Sequence, residues 1–166
     1  QSIQQEIFNL LEIGKISEYD FLIKVNKLCP KASHKQILKA WNALILDLPQ
    51  KRLSLINKLK SNFSIYLLSN TNTIHINEII KKIGVKKYNK FYSLFNKVYY
   101  SHEIGLRKPN PEAFNIILKE NNLNVSEVLF IDDSIQHIQS AKKLGIKTYH
   151  LTESESIETI FPDIVQ

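Results

Sequence analysis

The 166-residue sequence has little of several things: one cysteine, four glycines, five prolines, two arginines and no methionine. A single Cys29 cannot build a disulfide framework. The five histidines (His34, His75, His102, His137, His150) show no close pairing that would suit zinc. No GxxxxGK occurs, which excludes a nucleotide-binding P-loop. No apolar run approaches the about 20 residues of a membrane helix. The opening QSIQQEIFNL lacks the basic-then-apolar layout of a signal peptide. A soluble cytoplasmic protein is the expectation, with no membrane partner. Because Met is absent even at position 1, the translated protein is expected to begin upstream of Gln1.

The net charge is +6, from 22 Lys and Arg against 16 Asp and Glu. Only Arg52 and Arg107 are arginine, so 20 of those 22 cations are lysine. Arg is the usual fork for phosphate and base edges, so the excess charge argues against a sequence-specific nucleic-acid surface. The densest basic stretch, Lys81, Lys82, Lys86, Lys87, Lys90 and Lys97, reads as a solvated face. A hydrophobic content of 43% is enough for a packed core and too high for a disordered chain.

Up to about Leu46 the apolar spacing is helical. Ile3, Ile7, Leu10 and Leu11 share a face, and Gly14 suits the position just past a helix end. Ser17 with Asp20 resembles a capping box opening a second helix, which Cys29-Pro30 stops. Ser33 and Gln36 open a third, with Ile37, Ala40 and Trp41 on its apolar face. Trp41 reads as core.

After Pro49 helices and β-rich runs alternate. The runs are 63–69 (FSIYLLS), 97–101 (KVYYS), 128–133 (VLFIDD) and 146–151 (IKTYHL). Between them lie helical stretches over 50–60, 73–83, around 88–95, from Asn110-Pro111 through Leu118, and from 134 to 144. Gly84 and Gly145 end two of these, and Asn110 is expected as a cap with Pro111 at the first helical position. The acidic tail after Thr152 is expected to form a short surface helix. Such alternation predicts an α/β fold with a doubly wound parallel sheet.

Ligands of open α/β sheets bind beyond the carboxyl ends of the strands. Three of those ends carry polar groups here: Ser69-Asn70-Thr71-Asn72, then Lys108 between Arg107 and the Pro109/Pro111 pair, then Asp132-Asp133. A hydroxyl, a fixed ammonium and paired carboxylates make a site for a phosphate with a hard cation. Asp133 or Ser134 could instead cap the following helix. Asp132 sits within the apolar strand register, where a charge needs a partner.

In that order these segments resemble the haloacid dehalogenase superfamily of hydrolases, the subfamily with a helical cap. YLLSNTN is similar to its second motif, SHEIGLRKPNPEAF to its third and LFIDDS to its fourth; GKISEYDF resembles a segment of the cap. The resemblance implies a Rossmann-like core over residues 49–166 and a helical cap over 1–48. It implies that Ser69 and Lys108 hold the phosphoryl group with Asn70 beside them, and that Asp132 and Asp133 bind Mg²⁺. The implied reaction is phosphoryl transfer from a small phosphorylated metabolite through an aspartyl-phosphate. Dehalogenase and phosphomutase chemistry belong to the same superfamily.

Two departures stand out. The family's first motif, a DxD on a central strand that carries the nucleophile, is absent: Asp20 and Asp47 are the only Asp before Ser69 and neither ends an apolar β-run. The 166-residue chain is therefore expected not to turn over substrate by itself, and a non-catalytic binding protein is the alternative. The second departure is His137, where relatives often carry Asn; it reads as a surface histidine at a helix start.

Overall fold

The computed structural model describes residues 2–161. The chain divides into two compact units, one up to Gly105 and one from Leu106. No helix among the described residues is long and apolar enough to cross a membrane.

The first unit opens with three helices, α1 (Ile3–Glu12), α2 (Glu18–Leu28) and α3 (His34–Asn42). Both expected capping boxes close. The Ser17 hydroxyl accepts from Asp20 N–H while the Asp20 carboxylate accepts from Ser17 N–H, and Ser33 and Gln36 exchange the same pair of bonds. Each satisfies two backbone donors that a helix start leaves orphaned. α2 ends at Leu28, with Cys29 flanking. These helices bury Ile7, Leu11, Phe21, Leu22 and Ile37 in one cluster with Ile74. Trp41 packs against that cluster, its ring 4.8 Å from Phe8 and 4.8 Å from Phe21. Gly14 is required twice over. Its φ of +67° is left-handed, and a Cβ there would meet the His102 carbonyl oxygen at 2.3 Å.

Next come α4 (Gln50–Leu59), β1 (Tyr66–Ser69), α5 (Thr73–Ile83), α6 (Val85–Tyr92), β2 (Lys97–Tyr100) and the short α7 (Ser101–Ile104). β1 and β2 pair in parallel, Tyr66 opposite Lys97 and Ser69 opposite Tyr100. The strand is shorter than the β-rich run predicts. Phe63 is exposed, and at Ile65 the N–H bonds the Asn96 side chain rather than a strand. Lys81, Lys82, Lys86, Lys87, Lys90 and Lys97 are all exposed.

The second unit contains α8 (Glu112–Glu120), β3 (Leu129–Asp132), α9 (Ile135–Lys143) and β4 (Lys147–His150). α8 begins one residue later than expected: Pro111 flanks it, while the Asn110 side chain accepts from Glu112 N–H at 3.0 Å. β3 and β4 pair in parallel, Asp132 opposite His150. Ala113, Phe114, Ile138, Ala141 and Ile146 are buried, and Phe114 meets Phe130 edge-on at 5.1 Å. Gly145 follows α9 with φ +83°. Within the described part of the tail there is a 3-10 turn, Ile157–Ile160, in place of the expected helix; residues 162–166 lie outside the described residues. Parallel strands alternating with helices make the fold α/β, as the sequence pattern predicts.

Candidate functional site

At the carboxyl end of β3 the second unit buries a charge pair. The Lys108 ammonium donates to Asp132 Oδ2 at 2.6 Å, and each side chain is only 8% exposed. The same ammonium lies 5.4 Å from the centre of the Phe130 ring, within cation–π range. Asp132 is the last residue of β3, where the chain turns into α9. Its other oxygen, Oδ1, accepts from Ser134 N–H at 2.8 Å and from His137 Nδ1 at 2.9 Å.

Burial alone would raise the Asp132 pKa. The Lys108 hydrogen bond and charge, the Ser134 N–H and His137 together outweigh it and hold the carboxyl below its ordinary value. Asp132 therefore remains ionised at neutral pH, and it has the partner that its place in an apolar register demands.

Asp133 points the same loop outward. It is exposed, and its backbone carbonyl accepts from His150 Nε2 at 3.0 Å. Neither Asp133 nor Ser134 caps α9 through its side chain; Ser134 occupies the cap position without a side-chain bond. The Asp132 carboxylate takes the Ser134 N–H instead.

In the first unit, Ser69 ends β1 and Asn70 follows; both are half-buried. The loop beyond them is fastened by groups that local patterns do not reveal. Thr71 N–H donates to Ser101 Oγ, and Ser101 Oγ donates back to the Thr71 carbonyl, both at 2.9 Å. Ser101 is fully buried. Asn72 is 1% exposed and caps α5, its Oδ1 accepting from His75 N–H at 3.0 Å. The turn following Ser69 is thus clamped to the end of β2 and to the start of α5. Close by in the same unit is a cavity of about 450 Å³ whose walls include Gly14, Ile16, Glu18, Thr73, Ile74 and His102.

The structure thus joins Lys108 and Asp132, leaves the Asp133 side chain in solvent, and sets Ser69 and Asn70 on a clamped turn of the first unit. His137 corrects the sequence reading: it is not a surface group, its side chain being 17% exposed and bonded to Asp132. Its distance of five residues from Asp132, with a helix start between, was the signal available. Ser101 opens the segment that resembles the third motif, but a serine after a strand has no local pattern that names its partner.

Chemically, the second unit presents a buried ammonium, an ionised carboxylate with one acceptor position to spare, and an exposed carboxylate. A carboxylate has about four acceptor positions, and Asp132 uses three on protein donors. No cluster of three or more His, Cys, Asp or Glu side chains able to hold a metal occurs among the described residues. Carboxylate oxygens are hard donors, of the kind that suits a cation which keeps water and shares a phosphate.

Comparison with known proteins agrees with this chemistry. The chain is 30% identical over 147 residues to a D-ribitol-5-phosphate phosphatase of Bacteroides thetaiotaomicron, covering 88% of this chain and 71% of that one. It is 29% identical over 110 residues to a phosphoglycolate phosphatase of Vibrio parahaemolyticus, covering 64% of this chain and 46% of the relative, so it spans less than half of that protein. A crystal structure of a HAD family enzyme from B. thetaiotaomicron, in complex with magnesium and inorganic phosphate, superimposes with a TM-score of 0.81 at 34% identity, over 93% of this chain and 79% of the other. The family model for haloacid dehalogenase-like hydrolases matches residues 5–151. With its parallel α/β fold and its motif residues in order, the chain belongs to the haloacid dehalogenase-like hydrolase family.

Proposed function

We propose that this chain forms the substrate-binding and cation-binding part of a Mg²⁺-dependent phosphatase acting on a small phosphorylated metabolite. The observation that carries the reading is the buried Lys108–Asp132 pair at the end of β3. Burying two charges costs several kcal/mol per ion before their attraction offsets it. A phosphate site gives that arrangement a use.

On this reading residues 1–48 are a cap and 49–166 a core. The Lys108 ammonium neutralises phosphoryl oxygens, and the Ser69 hydroxyl donates to them. Asp132 and Asp133 hold Mg²⁺, which when bound offsets phosphate charge. Lys108, released in part from Asp132 by the incoming phosphate, exchanges one anionic partner for another and stays paired throughout. The loop over residues 14–18, which lines the cavity in the first unit, selects the leaving group.

The attacking Asp is not among these 166 residues, which contain no DxD. Among the described residues β1 pairs with β2 and β3 pairs with β4. A parallel sheet is normally covered and paired on both sides, and on this reading a further strand bearing that motif joins the core. The second reading is a binding protein of this fold without turnover.

The test is hydrolysis of p-nitrophenyl phosphate and a panel of phosphorylated metabolites with Mg²⁺, by a protein that carries a DxD strand ahead of Gln1. Mg²⁺-dependent release of phosphate, lost in Lys108→Ala, is expected. A folded protein with no activity above background on any substrate overturns the phosphatase reading and leaves the binding one.

A further inference from the structure

We infer that His137 is a positioning residue, whose ring sets the orientation of the Asp132 carboxylate. The basis is the geometry of the second unit; the consequence for metal binding rests on the reading above. Three donors hold the carboxylate, and they differ in stiffness. Lys108 is a compact charge on a flexible stem with three rotatable donors, so it can follow either oxygen. Ser134 N–H is backbone and His137 is a planar ring with one N–H direction toward Oδ1. His137 also sits on α9 between the N-cap Ser134 and the buried Ile138, so its own placement is anchored by helix packing. Rotation of the carboxylate by half a turn would exchange its oxygens; rotation by less would break both bonds to Oδ1 at once. Ring and backbone together therefore define one plane for Asp132, and with it the direction of its remaining acceptor position.

The same contact assigns the ring's tautomer. An ionised carboxylate only accepts, so the hydrogen between His137 and Asp132 is on Nδ1. A nitrogen carrying that hydrogen has no lone pair to give a metal, so His137 serves the cation through Asp132 and does not ligate it through Nδ1. An Asn at this position has a shorter side chain whose amide N–H can offer a similar donor.

Two measurements on the full 166-residue chain test this. The ¹⁵N shifts of the ring should report the Nδ1–H tautomer, and Asp132→Ala should abolish that preference. Mg²⁺ affinity by calorimetry should fall about tenfold or more in His137→Ala and be largely restored in His137→Asn, since groups that orient metal ligands typically contribute 10–100-fold to affinity. Circular dichroism on both variants controls for folding. Wild-type Mg²⁺ affinity in His137→Ala, or an Nε2–H ring in the unmodified chain, overturns the inference while leaving the Mg²⁺ assignment standing. An unmodified chain that takes up no Mg²⁺ but shows the Nδ1–H ring refutes the metal reading, and with it the consequence assigned to His137.

Discussion

The two units bury their polar groups on opposite terms. In the first, the interior is an apolar and aromatic cluster around Phe21 and Trp41, and its buried polar side chains serve the backbone: Ser101 closes on Thr71, and Asn72 caps α5. In the second unit the interior polar groups at the strand end are charged, and they bond each other. Loop-fastening groups like Ser101 and Asn72 follow from the need to satisfy backbone donors. A buried ion pair has no such necessity, because well-packed apolar side chains of similar volume often stabilise a fold as well or better. Burial in the first unit is therefore explained by folding, and burial of Lys108 and Asp132 asks for a chemical use.

The largest effect expected is in the aromatic cluster. Phe21→Ala should cost about 3–5 kcal/mol in urea denaturation, the usual range for emptying a buried aromatic site. A loss below about 1 kcal/mol would mean that this cluster does not carry the first unit, and the contrast with the second would fail.

The ion pair provides the sharper test. Lys108→Ala should destabilise by about 3 kcal/mol, because it strands a buried carboxylate. The double replacement Lys108→Met with Asp132→Leu should recover part of that loss, the remainder reflecting the Ser134 N–H and His137 donors left without their acceptor, while calorimetric binding of phosphate and Mg²⁺ disappears. If the double variant is as unstable as the single one, the pair is needed for the fold and the comparison loses its meaning.

The smallest effect is a pH dependence in the first unit. His75 stacks on Trp41 at 5.0 Å, and its Nε2 is 3.2 Å from the Trp41 carbonyl oxygen. Burial lowers its pKa, outweighing the Trp41 carbonyl and the Glu12 charge, which act to raise it. The folded ring thus resists a proton that the unfolded ring accepts near its ordinary value of about 6.5. Above that pH both states are neutral and His75 has no effect on stability. Below it the unfolded state binds more protons and stability falls until the folded ring also titrates. Denaturation midpoints measured from pH 7.5 to 5.5 should decline in the native chain and decline less in His75→Gln. Parallel slopes in the two would remove His75 from the acid response.

Much of the fold was legible because much of it is local. A capping box spans four residues, so Ser17 with Asp20 and Ser33 with Gln36 announced their helices. The residue that stops a helix acts within a turn of its end, and Gly84 stands directly after α5. β1 starts later than the apolar character at 63–65 predicts, because the Asn96 side chain takes over the Ile65 N–H. At the candidate site Ser69, Asp132 and Asp133 are recognisable as motif residues at strand ends, and Lys108 as a motif residue in the segment that follows β2 and α7. The wider set was not: Ser101 and His137 act through contacts whose partners are chosen by how strands and helices pack.

The order of the main helices and strands, the two capping boxes and the presence of motif residues at or after strand ends were determined by the amino-acid sequence itself, because each depends on neighbours within a few residues. That Lys108 reaches Asp132 across 24 residues, and that a histidine expected at the surface turns in to hold the same carboxylate, was decided only by tertiary structure. The physical reason is that a buried charge is tolerated only where several donors converge on it. That convergence comes from packed elements and is not encoded in any short stretch of chain.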